Sequence, residues 1–132
     1  MSGRVQTPDG LIEDTVSEDT SLIVDTSDGL VVLSGCGHAG MINTMEYARK
    51  VVRAGPIHAA VGGFHLFAAT DANLEWTAGK LREFGLRHLL GAHCTGIEAV
   101  FRLRQLAAAM RRSGFWPLTR GFTIGCAESK TR

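Results

Sequence analysis

The chain has 132 residues, 45% of them hydrophobic and 20% charged, with a formal net charge of +1. That composition supports one folded domain with a modest core and excludes a disordered chain. The near-neutral charge gives no global pull towards nucleic acid or an anionic membrane, and no apolar run approaches the roughly 18 to 20 residues of a membrane helix.

Residues 1–19 read as an extended lead-in. This segment is polar and lacks the apolar core of a signal peptide. Cys36, Cys94 and Cys126 are an odd number of cysteines with no framework spacing, which suits a reducing compartment. The expected location is the cytoplasm.

From Ser21 the pattern becomes regular. Ser21–Thr26 (SLIVDT) and Leu30–Ser34 (LVVLS) flank the turn signal Ser27-Asp28-Gly29, which predicts a hairpin. A helix follows over roughly 40–54, with Met41, Met45, Ala48 and Val52 at helical spacing and Gly55-Pro56 as its stop. Ile57–Val61 is a short buried strand running into GGFH. A second helix spans about 70–84 on a stripe of Leu74, Ala78 and Leu81. Arg87–Leu90 is the next strand and runs into GAHCTG. Thr95 and Glu98 form a T-x-x-E signature for the start of a third helix, which ends near Gly114. Gly121–Gly125 reads as a last short strand, and residues 127–132 as a tail.

Strand, loop and helix thus recur three times, the pattern of an α/β fold with helical crossovers. The three loops are GCGHAG, GGFHL and GAHCTG, and each holds a histidine just past its strand: His38, His65 and His93. Loops of this kind open at the carboxyl edge of the sheet, where ligands bind in such folds. The first loop also satisfies G-x-G-x-x-G, but the next strand ends in histidine rather than the acidic residue that a dinucleotide ribose requires. Imidazole is a common ligand for zinc-like ions, so three strand-end histidines favour a metal over a pyrophosphate.

The stretches EDTSLIVDTSDGLVVLSGCGHAGMINTMEYA, AAVGGFHLF and GAHCTG together resemble the second half of metallo-β-lactamase-fold metal-dependent hydrolases. The likeness is to the dihydropteridine-ribofuranosylaminobenzene phosphate synthase-like subgroup in particular, and it covers roughly residues 9–125. It implies half of an αββα sandwich over residues 20–126, with a mixed sheet. It also implies water activated by a histidine-bound divalent metal, with zinc favoured over iron or manganese. His38 and His93 match second-half ligand positions, whereas His65 stands where the superfamily usually places a bridging aspartate.

The superfamily's H-x-H-x-D-H motif is absent from the 132 residues. The chain therefore reads as half a two-metal site. It is expected to work with a small-molecule substrate, for which the resemblance suggests a phosphorylated compound, as a homodimer or with a chain supplying the complementary amino-terminal half. The alternative is a non-catalytic remnant that binds metal or a partner. Cys36, Cys94, Asn43 and Thr95 flank the histidines and are candidates for the substrate pocket. The two thiols are equally readable as metal donors or as small buried hydrophobes, Asn43 and Thr95 as helix caps, and Cys126 as incidental. His58 and His88 read as strand residues with satisfied hydrogen bonds. Arg102, Arg104, Arg111 and Arg112 read as a solvated face.

Overall fold

In the computed structural model, residues 3–14, 19–112 and 123–127 are described. Two strands, β1 (Gly3–Thr7) and β2 (Gly10–Asp14), form an antiparallel hairpin within the expected lead-in. Its cause is the tetrad Thr7-Pro8-Asp9-Gly10. Proline fixes the turn's first φ, and the Thr7 hydroxyl donates to the Gly10 carbonyl at 2.9 Å.

The main sheet has five strands: β3 (Ser21–Thr26), β4 (Gly29–Ser34), β5 (Ile57–Gly62), β6 (His88–Ala92) and β7 (Thr123–Ala127). They lie side by side in chain order. β3 and β4 form the expected antiparallel hairpin, and β4 to β7 are parallel. Helices α1 (Met41–Val51), α2 (Asp71–Glu83) and α3 (Ile97–Arg112) make the three crossovers. The last strand sits two residues later than Gly121–Gly125; residues 121 and 122, the expected end of α3 near Gly114 and most of the 127–132 tail lie outside the described residues.

Successive right-handed crossovers that step in one direction place all their helices on one face of the sheet. The core agrees. Leu30 and Val32 of β4, Ile57 and Ala60 of β5 and Leu89 of β6 form one cluster with Met45 of α1, Leu81 of α2 and Leu103 of α3. The mixed sheet with a single helical layer is the architecture the sequence predicts. Thr70 caps α2, its hydroxyl accepting from the Asn73 N–H.

Among the described residues, the other face carries no helix. Register aligns Leu22, Leu33, Val61 and Leu90 across four strands, and Val24 with Val31 beside them. Leu22 is 61% exposed, Val24 40% and Leu90 39%. Among the described residues, no helix is long and apolar enough to cross a membrane.

Candidate metal centre

Because β4, β5 and β6 are mutually parallel, their carboxyl ends share one edge, and the loops after them meet there. Several contacts hold the loops together. The Asp19 carboxylate accepts the N–H groups of Gly37 at 3.1 Å and Ala39 at 2.9 Å, tying down the first loop. The Gly63 N–H donates to the Gly35 carbonyl at 3.2 Å. A side chain at Gly63 would strike that carbonyl oxygen, so close loop approach, not a phosphate, accounts for glycine there.

Thr95 departs from its expected capping role. α3 begins at Ile97, after a short 3₁₀ turn over His93–Thr95 and a left-handed Gly96. The Thr95 side chain instead reaches across the sheet edge. Its hydroxyl donates to the Gly62 carbonyl and accepts from the Phe64 N–H, both at 3.1 Å. Thr95 is fully buried, so it braces the second loop from beneath. Asn43 is not an N-cap either. It lies in the first turn of α1, and its amide donates to the Ala39 carbonyl at 2.8 Å.

The three histidines converge to different degrees. The rings of His38 and His65 meet edge to face with centroids 4.7 Å apart. Nδ1 of His93 lies 3.5 Å from Sγ of Cys36. His65 and His93 both adopt left-handed backbone, with φ of 48° and 50°. For non-glycine residues this conformation is uncommon, and it concentrates at sites where surrounding structure enforces it. His38 and His93 are exposed, and His65 is half-buried.

Among the described residues, Cys36, His65 and Cys94 bring potential metal-binding atoms together, all within 4.8 Å of one another. Cys36 and Cys94 are free thiols with Sγ atoms 3.2 Å apart. Sγ of Cys94 donates to the Cys36 carbonyl at 3.0 Å and accepts the His65 N–H at 3.3 Å. Hydrogen bonding to Cys94, then desolvation, then the charges of Cys94 and Asp19 push the Cys36 thiol up from 9.0 to about 11. Nδ1 of His65 is buried and has no hydrogen-bond partner among the described residues. Buried imidazole nitrogens are normally satisfied, so this atom and the surrounding donors fit a bound cation.

His58 and His88 sit away from this edge with ring centroids 5.1 Å apart. Among the described residues, Nδ1 of His58 has no hydrogen-bond partner, contrary to the expectation of a satisfied strand histidine. The side chains of Cys126, Arg111 and Arg112 lie outside the described residues. Arg102 is committed to Asp71 at 3.0 Å and Gln105 at 3.2 Å, as a solvated face would have it.

Beside the edge runs an open groove of about 720 Å³, lined by Asn43, His65, Phe67, Asn73 and Trp76 among others. Sequence reasoning missed the two aromatic walls, because Phe67 and Trp76 belong to no motif. It also assigned no role to Asp19, although Asp19 belongs to the EDTSL entry.

No family model matches the chain. A solved metal-dependent hydrolase of the β-lactamase superfamily matches its fold with a TM-score of 0.60 and 28% sequence identity, over 83% of this chain and 36% of that one. The chain resembles the metallo-β-lactamase superfamily in both sequence and fold. Within that superfamily likeness, the 7,8-dihydropterin-6-methyl-4-(β-D-ribofuranosyl)-aminobenzene-5'-phosphate synthase of Methanocaldococcus jannaschii is 30% identical over 89 residues, 67% of this chain and 30% of the relative. An uncharacterized protein of the same organism is 33% identical over 97 residues, 72% of this chain and 34% of that protein. The chain therefore spans about a third of the length of the proteins it matches.

Proposed function

We propose that the chain supplies one wall of a metal-dependent hydrolase site. The observation that carries this reading is the meeting of three strand-end loops, each bearing a histidine, at one sheet edge beside a groove. A bound divalent ion there would lower the pKa of its water towards neutrality and polarise the substrate oxygen. His38, His65 and His93 are the imidazoles offered to it, and zinc suits them better than a hard cation. Asp19, Thr95 and the Gly35–Gly63 contact hold the loops in position. Exposed Phe67 and Trp76 give the groove flat apolar walls for a planar substrate. The name of the archaeal synthase supports a phosphorylated small molecule as the substrate class.

The complementary motif H-x-H-x-D-H comes, on this reading, from a partner segment. The apolar band Leu22, Leu33, Val61 and Leu90 is the surface on which a second sheet would pack. The partner is such a segment or a second copy of this chain, and the working complex belongs in the cytoplasm.

The experiment is to assay phosphate-ester hydrolysis with zinc or manganese, using the chain alone and together with an H-x-H-x-D-H-bearing segment of a superfamily relative. Turnover is expected only in the mixture and should disappear with His38→Ala and His93→Ala. A stable, inactive monomer that ignores the segment would instead support the non-catalytic module.

A further inference from the structure

The donor group at the sheet edge is richer in sulfur than a histidine-only site requires. We infer that Cys36, His65 and Cys94 together form a metal-binding site selective for a thiophilic ion of the zinc class. In a tetrahedral zinc site, Zn–S of about 2.3 Å and Zn–N of about 2.0 to 2.1 Å place neighbouring donors roughly 3.3 to 3.8 Å apart. The three donors already lie within 4.8 Å of one another, and the sulfurs at 3.2 Å need only a slight opening. The buried Nδ1 of His65 has no other partner among the described residues.

Each donor comes from a different loop, and the loops are joined by backbone. The His65 N–H and the Cys36 carbonyl both bond to Sγ of Cys94, so the sulfurs are positioned before any ion arrives. His93, with Nδ1 3.5 Å from Sγ of Cys36, stands beside the position a fourth ligand or a water would take. Thiolates favour zinc or copper(I) over magnesium or manganese. The site shares His65 with the hydrolytic reading but does not depend on it, since a thiolate site would hold its ion in a catalytically silent chain as well.

The test is an anaerobic titration of the reduced full chain with cobalt(II), read by absorption. One equivalent should produce thiolate-to-cobalt charge-transfer bands. Cys36→Ser and Cys94→Ser should each abolish the bands and weaken binding more than about 100-fold, beyond the usual cost of losing an outer-shell partner. His38→Ala should keep them. As a measurement free of substitutions, one equivalent of zinc should protect two of the three thiols from a thiol reagent. Cobalt binding without thiolate bands, or binding lost in His38→Ala but intact in both serine variants, would overturn the site. Hydrolysis is scored separately, so a silent enzyme with intact bands would count only against the proposed activity.

Discussion

The sulfur atoms of Cys36 and Cys94 lie 3.2 Å apart although 58 positions separate the two residues in sequence. In the metal-free chain this contact holds the Cys36 thiol protonated well above neutral pH. Cys36 should therefore react with iodoacetamide about 100-fold more slowly than an ordinary thiol below pH 9, because two pKa units remove about that much thiolate. Folding raises this pKa, so the associated stability is complete below about pH 9 and is lost as the pH climbs through about 11. Peptide mapping of alkylation rates against pH checks the first point, and melting curves across the same range check the second. Rapid labelling of Cys36 at pH 7 would contradict the contact.

Thr95→Val should destabilise the chain by about 1 to 3 kcal/mol, since it removes the hydroxyl that the buried Phe64 N–H and the part-buried Gly62 carbonyl bond to. Thr95→Ser retains the hydroxyl and should lose far less. Denaturant midpoints of the two variants give the comparison, and equal midpoints would refute the bracing role.

The fold and the site were legible in the sequence to different extents. Strand, loop and helix recur with strong local periodicity, so the crossovers and the three strand-end histidines were readable from local pattern alone. The T-x-x-E signature at Thr95 misled because the left-handed Gly96 ends the preceding turn and frees the threonine side chain for a partner 33 positions away. The hairpin over residues 3–14 turns on T-P-D-G, a signal that the reading of residues 1–19 as an extended lead-in passed over. The convergence of Cys36 with Cys94 had no local signal, because it depends on the lateral order of β4, β5 and β6.

Two glycine substitutions should give opposite results. At Gly62, φ is +124° and a Cβ would run into the Ser34 carbonyl oxygen, so Gly62→Ala should lose more than about 4 kcal/mol or fail to fold. Gly79 lies inside α2 with open space around it, and Gly79→Ala should add roughly 0.5 to 1 kcal/mol. Thermal melts of the pair test the backbone account directly.

The uncovered sheet face should drive association. Light scattering is expected to give a mass above that of one chain at high concentration, and Leu22→Glu should reduce it, because Leu22 is the exposed end of the apolar band on edge strand β3. A concentration-independent monomer that binds no apolar dye would show that the face needs no cover.

The side-by-side order of β4, β5 and β6 also sets a sequence of events during synthesis. Each crossover can dock on its predecessor as it emerges, yet the first thiol must wait for the second. At ribosomal speeds of about 5 to 20 residues per second, the 58 positions between Cys36 and Cys94 correspond to a lag of roughly 3 to 12 s. Throughout that interval the nascent chain presents one sulfur with no mate, so it cannot commit to an ion until its second crossover, through α2 to β6, is complete.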